Sequence, residues 1–296
     1  MIRKYFHALL QNPRGTGGVS AWVVFGCIAV TFLIVCTSLD AAAHGREQTD
    51  DFTRMRSDLG LVASDDFNGP AGLAPSATMW NIRNGGGGWG NKERQIYTGS
   101  TANVATDGHG NLTITARRDG TRITSARIDT LGKLDTSGGL LAVRARLPEG
   151  QGLHPAIWML GSSLNVVGYP EAGEIDIVEQ VNSHRQVSVG ALGPQTDLAV
   201  KLPWKKHTDI AADAAPGPGD YHTYWIHRQP GLIEYGIDGR KVMTLQPRDL
   251  PPSSVWVLDE PFFLVLNLAV GGEWPGPVAE SSLPATMSID WVRMYA

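Results

Sequence analysis

Three acidic side chains near the middle of the chain have types and a spacing that suit catalysis. In the stretch Gly173-Glu174-Ile175-Asp176-Ile177-Val178-Glu179, acids first alternate with β-branched residues, which predicts a strand with one wet face and one buried face. Glu174 and Asp176 then share the wet face. Glu179 lies five residues after Glu174, so an unbroken strand would turn it into the core. One extra residue within Ile177-Val178 would form a β-bulge and return Glu179 to the face of the other two acids.

Carboxylates gathered on one strand face repel each other, but cleavage of a glycosidic bond has a use for them. That reaction needs one carboxylate as nucleophile and one carboxyl group as acid and base. Glu174 and Glu179 would lie about 13 Å apart along the backbone. Side chains leaning over the shorter Asp176 on a curved sheet would narrow this toward the ~5–5.5 Å of a retaining enzyme. Asp176 would hydrogen-bond the nucleophile and keep the two pKa values apart. The alternative is a solvated strand face with acids placed by chance.

The run Glu-Ile-Asp-Ile-Val-Glu from Glu174 to Glu179 resembles the signature of glycoside hydrolase family 16 in its bulged, laminarinase-like form. Further blocks resemble that family in the same order, and the resemblance covers about residues 64 to 296. The blocks are Asp66-Phe67-Asn68-Gly69, Gly85-Gly86-Gly87-Gly88-Trp89-Gly90-Asn91, Leu147-Pro148-Glu149-Gly150, Pro155-Ala156-Ile157-Trp158-Met159-Leu160-Gly161 and Leu266-Asn267-Leu268-Ala269-Val270-Gly271-Gly272.

The resemblance implies both a fold and an activity. The fold is a β-jelly roll whose concave sheet carries the acids and forms a substrate cleft. The activity is that of a retaining endo-β-1,3-glucanase acting on laminarin-type polysaccharide. Glu174 would be the nucleophile, Glu179 the acid/base, and Asp176 the residue that orients and tunes them.

Hydrophobic patterning independently predicts an all-β domain of two packed antiparallel sheets. The 35 glycines and 18 prolines favour a turn-rich fold. Residues 112–116 alternate between apolar and polar, as a half-buried strand does. Asp238-Gly239 follows another such run and indicates a hairpin with a tight primed turn. Residues 262–270 are nearly all apolar, so we expect a strand buried on both sides apart from Asn267.

Five residues in the resembling blocks and near the end of the chain are candidates for binding a polysaccharide. Indole rings stack on the apolar C–H faces of sugars while the indole N–H reaches a hydroxyl. Amide side chains hydrogen-bond sugar hydroxyls. For any single tryptophan, packing in the core is the commoner alternative. The candidates are Trp89, Asn91, Trp158, Asn267 and Trp274.

One position departs from the pattern of the resembled family. Its members commonly place a histidine that faces the cleft in the strand after the acids, where this chain has Leu192. Leucine cannot donate a hydrogen bond to an acid or a substrate, so the resemblance no longer predicts a normal rate or the usual specificity. A non-catalytic β-glucan-binding protein therefore stays open as an alternative. A cell-wall transglycosylase is another, which anchoring at the cell surface would suit.

The reaction requires no cofactor, but the resemblance suggests a structural calcium. Related proteins often hold that ion between the first and last strands, at positions that correspond to Asp66 and Asp290. Oxygen ligands suit calcium. Exposed aspartates at strand ends are the alternative.

The amino-terminal region predicts export. Residues 1–20 carry three basic side chains and no acid, and residues 21–39 are predominantly apolar, so we expect an apolar helix with its basic flank in the cytoplasm. Residues 1–43 would be a signal peptide or a membrane anchor, since the apolar run is long enough to span and small residues follow it. Residues 44–63 would be a polar linker, and residues 64–296 an extracytoplasmic domain.

Charge and cysteine content narrow the partners. A formal net charge of −4 gives no support for nucleic-acid binding. Cys27 and Cys36 both lie in the apolar segment, so the predicted exported domain has no disulfide or thiol chemistry. The expected partner is a polysaccharide, with membrane contact through the amino-terminal segment alone and a monomeric protein.

Overall fold

The computed structural model describes residues 50–183, 185, 187–196, 202–211, 215, 217 and 219–296. The predicted apolar helix, the signal or anchor segment 1–43 and both cysteines lie outside these described residues. Among the described residues, no helix is long and apolar enough to cross a membrane.

Most of the regular structure is β-strand, as the turn-rich, alternating sequence predicts. The described residues contain two short helices, α1 (Asp51–Arg56) and α2 (Leu164–Val167), and 3₁₀ turns at Pro247–Asp249 and Glu280–Ser282. The strands are β1 (Leu61–Asp65), β2 (Asn81–Arg83), β3 (Ile96–Tyr97), β4 (Val104–Thr106), β5 (Leu112–Asp119), β6 (Arg122–Ser125), β7 (Arg127–Asp129), β8 (Asp135–Thr136), β9 (Gly139–Arg146), β10 (Leu153–Gly161), β11 (Glu174–Gln180), β12 (Val187–Gly193), β13 (Trp204–Asp209), β14 (His222–Gln229), β15 (Leu232–Ile237), β16 (Arg240–Leu245), β17 (Phe262–Val270) and β18 (Ala285–Tyr295).

The described strands form two sheets, as predicted. The first runs β16-β15-β14-β9-β18-β5-β6-β3, with β1 also paired to β18 and β4 to β5. The second, which we call the cleft sheet, runs β13-β12-β11-β10-β17-β7-β2, with β8 also paired to β17. The pairings are antiparallel except that of β3 with β6. Strands β10 to β13 are consecutive along the chain and are neighbours in the cleft sheet, so β11 and its acids lie inside a meander whose β10 side pairs with the distant β17.

The core follows the alternation read from the sequence. In β5, Leu112, Ile114 and Ala116 are fully buried, while the intervening threonines are partly exposed. All nine residues of β17 are buried, including Asn267, which was expected to be exposed. Asn267 tolerates burial because its amide has hydrogen-bond partners in Trp158 and Tyr97.

The predicted hairpin is confirmed. Ile237 pairs with Arg240, which leaves Asp238 and Gly239 as a two-residue turn between β15 and β16. Asp238 has a φ of 53°, a conformation that aspartate tolerates better than most side chains.

The predicted linker 44–63 is wrong for its described part, because folded structure begins before residue 64. Helix α1 is capped by Asp50, whose carboxylate accepts from the Thr53 amide at 2.7 Å. Phe52 packs against Trp225 with ring centroids 6.2 Å apart, and β1 pairs with β18. The helix spans less than two turns, too short for its apolar period to stand out from a polar segment.

Candidate active site

The predicted β-bulge is present in β11. Ile157 of β10 pairs with Val178, and the next residue of β10 pairs with Asp176, so Ile177 is the extra residue. The register with β12 shifts at the same place, between Asp176 and Glu179. The bulge returns Glu179 to the side of the sheet that carries Asp176.

Glu174, Asp176 and Glu179 all line one cleft of about 840 Å³ on the side of the cleft sheet away from the core. Ile175 and Val178 are fully buried in the core. The five predicted sugar-binding residues line this same cleft, so the structure brings together the acids with Trp89, Asn91, Trp158, Asn267 and Trp274.

Glu179 is held by a histidine from the neighbouring strand. His154 of β10 lies with Nε2 3.0 Å from Glu179 Oε1. Burial would raise the pKa of Glu179, but the hydrogen bond and positive charge of His154, followed by the charges of His207 and Lys205, hold that pKa below its ordinary value.

The other two acids are shifted in the opposite direction. Burial, and then the negative charges of Asp176 and Glu179, raises the pKa of Glu174 well above its ordinary value. Burial and the charge of Glu179 likewise raise the pKa of Asp176. Protons in the cluster are therefore favoured on Glu174 and Asp176 rather than on Glu179.

A histidine that the sequence did not suggest reaches the acids from β13. His207 Nε2 lies 2.8 Å from Asp176 Oδ2, and its Nδ1 lies 3.7 Å from Glu179 Oε2. His207 pairs with Gly190 of β12, and Gly190 pairs with Asp176 of β11. The imidazole thus crosses over Gly190 to reach the strand beyond it.

The departure at Leu192 stands, and its expected effect on rate and specificity stays a prediction. Leu192 pairs with Glu174 and lines the cleft without a polar group, but an imidazole still contacts the acids because His207 supplies it from the adjacent strand. The alternation of Lys205, His207 and Asp209 was a usable signal for a cleft-facing strand. The register of β13 against β12 was not readable, because it is set by strand pairing.

The floor of the cleft is a polar and aromatic network. Trp158 Nε1 donates to Asn267 Oδ1 at 2.6 Å, and the Asn267 amide donates to the Tyr97 hydroxyl at 3.2 Å. Tyr97 in turn donates to Glu93 at 3.1 Å. These hydrogen bonds hold the Trp158 indole in place. The Trp158 ring and the Asn267 amide both line the cleft.

Arg127, which the sequence did not single out, lies between two of the predicted tryptophans. Its guanidinium carbon is 5.0 Å from the ring centroid of Trp89 and 4.6 Å from that of Trp158. Burial lowers its pKa, against the charges of Tyr97, Glu93 and others that raise it. Because Arg127 also lines the cleft, it places a fixed cation beside the indoles.

The glycine-rich loop presents Trp89 and Asn91 as expected. Trp89 has a φ of 47° and donates its indole N–H to the Gly85 carbonyl at 3.2 Å. The backbone N–H of Asn91 donates to the Gly88 carbonyl at 2.8 Å. The loop therefore folds back on itself and holds both side chains at the cleft.

Trp274 is the most exposed of the cleft aromatics named above, with 43% of its surface accessible. Its ring meets that of His154 edge-on at 5.3 Å, and Lys205 Nζ lies 5.5 Å from its centroid. An exposed indole beside His154, the hydrogen-bond partner of Glu179, is suited to stacking on a sugar ring.

The two aspartates expected to bind calcium are each paired with an arginine. Asp66 Oδ1 accepts from Arg293 Nη2 at 3.0 Å, and Asp290 Oδ2 accepts from Arg144 Nε at 2.9 Å. Calcium takes about six to eight oxygen ligands. Guanidinium groups facing both carboxylates do not fit a shared calcium ion, so we derive no role for one.

Comparisons with known proteins agree with this geometry. The family model of Glycosyl hydrolases family 16 matches residues 91–293. A beta-glucanase from Rhodothermus marinus is 35% identical over 255 residues, which cover 79% of this chain and 84% of that protein. The crystal structure of the laminarinase catalytic domain from Thermotoga maritima matches with a TM-score of 0.70 and 34% identity, over 80% of this chain and 98% of that one. The laminarinase from Flavobacterium sp. UMI-01 matches with a TM-score of 0.69 and 35% identity, over 80% and 100% of the two chains.

Proposed function

Because the chain belongs to the glycosyl hydrolases of family 16, we propose that it is a retaining endo-glycosidase that cleaves β-1,3-linked, laminarin-type glucan outside the cytoplasm. The observation that carries the proposal is the bulged strand β11, which delivers three carboxyl groups to one cleft lined by indoles. The similarity to laminarinases from Thermotoga maritima and Flavobacterium supports the choice of substrate.

The reaction follows from the roles that two carboxyl groups take in a retaining glycosidase. Glu174 attacks the anomeric carbon while Glu179 gives a proton to the leaving oxygen, and a covalent glycosyl-enzyme forms. Glu179 then takes a proton from water, which attacks the same carbon and releases the sugar. Asp176 lies between them and tunes the charge of both.

The first step needs an ionised Glu174 and a protonated Glu179. The pKa directions favour the opposite arrangement, with Glu174 and Asp176 raised and Glu179 lowered. Turnover therefore needs Glu174 to lose a proton and Glu179 to gain one before the glycosidic bond breaks.

The test is a reducing-sugar assay of the purified full-length protein on laminarin, beside lichenan, agarose and galactan. We expect new reducing ends from laminarin, and their loss in Glu174→Gln, which keeps the shape of the side chain but not its charge. Undiminished hydrolysis by Glu174→Gln would refute the assigned nucleophile.

Hydrolysis is preferred over the binding-protein alternative for a reason specific to the cleft. The binding-protein alternative rested on the missing histidine, and His207 supplies an imidazole to the acids. Transglycosylation would use the same acids with a sugar acceptor in place of water. Mass spectrometry of the products separates the two, since chains longer than the starting oligosaccharide form only by transfer.

The extracytoplasmic location rests on the amino-terminal sequence. Residues 21–39 are predominantly apolar behind a basic flank, as in a signal peptide or a single-pass anchor. Amino-terminal sequencing of the protein recovered from membrane and medium fractions tests this. A soluble, unprocessed protein in the cytoplasm would contradict it.

A further inference from the structure

We infer that His207 carries a proton between Asp176 and Glu179 and so loads the acid/base group of the proposed reaction. The inference rests on the proposed function for its role in turnover, but the relay itself is a property of three side chains. Because His207 acts through Glu179, it is a positioning residue: it delivers the proton that Glu179 uses.

The geometry places a different carboxyl group at each ring nitrogen. Nε2 lies 2.8 Å from Asp176 Oδ2, and Nδ1 lies 3.7 Å from Glu179 Oε2, within about 1 Å of hydrogen-bonding distance. A neutral imidazole has one N–H and one lone pair. It can therefore accept a proton at one nitrogen and release one from the other.

The facing atoms have no competing partners among the described residues. Asp176 Oδ2 and His207 Nε2 are buried, and neither makes an aligned hydrogen bond with any described group, including the other. Asp176 is 1% exposed. At 2.8 Å the two atoms are within hydrogen-bond distance, so a proton on either atom can reach the other once the ring aligns. Catalytic hydrogen bonds are often poorly aligned before substrate binds.

Gly190 makes the reach of His207 possible. A Cβ built on Gly190 would overlap the His207 ring and the Lys206 carbonyl. Gly190 is not among the residues with positive φ, so its backbone does not demand glycine. Glycine is needed because the imidazole and the Lys206 carbonyl occupy the space that a Cβ would fill.

Burial favours the neutral ring, which can use both of its nitrogens. The groups that face it are the three acids of β11 together with Lys205 and Asp209 from its own strand. Burial lowers the pKa of His207, and this outweighs the acids that would raise it. His154 contacts the other oxygen of Glu179, which leaves Oε2 toward His207.

The transfer balances without any further reactant. The O–H bond of Asp176 breaks as an N–H bond forms at His207 Nε2. The N–H bond at Nδ1 breaks as an O–H bond forms at Glu179 Oε2. Glu179 ends protonated, and the imidazole stays neutral with its hydrogen moved from Nδ1 to Nε2. The ionised Asp176 then accepts the proton of Glu174, its hydrogen-bond partner, which leaves Glu174 ionised as the nucleophile. The reverse transfer restores the first arrangement after product leaves.

Two substrates distinguish a proton relay from a structural role. Laminarin has a poor leaving group that needs protonation, whereas a 2,4-dinitrophenyl β-laminaribioside does not. For His207→Ala we expect kcat on laminarin to fall by about 10²-fold, the lower end of general acid catalysis, with kcat on the aryl glycoside close to wild type. Free imidazole should restore part of the laminarin activity.

His222→Ala is the matched control. His222 Nδ1 lies 2.8 Å from Asp238 Oδ2, so it makes a histidine–aspartate contact of the same length, but in the other sheet. We expect this variant to match wild type on both substrates. Equal losses of His207→Ala on both substrates, or no loss on laminarin, would overturn the relay.

Nitrogen-15 spectra of the His207 ring give a readout that needs no turnover. The relay predicts that Asp176→Ala changes which ring nitrogen carries the hydrogen, and an unchanged ring would overturn it. A wild-type protein that cleaves no polysaccharide would instead count against the proposed function, while the ring spectra would still decide the relay.

Discussion

His154 Nε2 and Glu179 Oε1 lie 3.0 Å apart across the β10–β11 pair. This contact is the largest single reason that the pKa of Glu179 falls below its ordinary value despite burial. The contact therefore favours the ionised form of Glu179, the proposed acid.

Removal of His154 is expected to shift the alkaline side of the activity profile. Without the hydrogen bond and charge of His154, the pKa of Glu179 rises, so Glu179 stays protonated to higher pH. Since the proposed first step needs that proton, the alkaline limb of kcat/KM against pH should move to higher pH in His154→Ala. An alkaline limb that stays fixed or moves to lower pH would contradict the assignment of Glu179 as the acid. His227→Ala, which removes a histidine near Glu234 in the other sheet, is the control.

Retention of configuration is a second expectation. Glu174 as nucleophile implies two displacements at the anomeric carbon, so the first product should carry the β configuration. Proton NMR during the first minutes of laminarin hydrolysis distinguishes the anomers before they equilibrate. An α product would show that water attacks directly and that Glu174 is not a nucleophile.

Substitution of Gly190 should reproduce the loss caused by removing His207. The added methyl group of Gly190→Ala overlaps the imidazole and the Lys206 carbonyl, so the ring must leave Asp176 or the strands must separate. We expect overpacking to cost about 1–3 kcal/mol and laminarin activity to fall as in His207→Ala. Urea unfolding and kcat measure the two effects.

Gly60→Ala is the control for Gly190→Ala, because its added carbon would meet nothing closer than 3.8 Å. It should leave laminarin activity unchanged. Full activity in Gly190→Ala would show that the His207 ring does not depend on the space above Gly190.

Helix α1 should contribute to stability and not to catalysis. Phe52 packs on a small cluster that includes Trp225 and Leu140, on the sheet away from the cleft. Truncation of this partly buried ring in Phe52→Ala should lower the free energy of unfolding by about 2 kcal/mol with kcat on laminarin unchanged. Asp58→Ala, on an exposed side chain, should change neither. A drop in kcat without a drop in stability would point to an unforeseen link with the cleft.

The acid cluster could be predicted from sequence because its signal is local. The alternation of Glu174 and Asp176, and the five-residue step to Glu179, specify both the shared face and the bulge. The Asp238-Gly239 turn is equally local, since two residues carry the whole signal.

The histidines could not be assigned in this way, because their contacts depend on the register between separate strands. His207 is 31 positions after Asp176, and only the register of β13 on β12 on β11 brings the two together. Arg127 reaches Trp158 by the same route, through β7, β17 and β10. Local spacing carries no information on such register.

Trp274 is expected to bind the glucan at the Glu179 end of the cleft. Its ring is half exposed and lies edge-on to His154, so a sugar stacked on it would lie near the proposed acid. Loss of an exposed stacking partner is worth about 1 kcal/mol or somewhat more, which predicts a several-fold rise in KM for laminarin in Trp274→Ala. Because His154 also loses a contact, kcat should be followed beside KM, and Trp274→Phe should retain most of the affinity. An unchanged KM in Trp274→Ala, measured on oligosaccharides long enough to reach this end, would place the glucan elsewhere in the cleft.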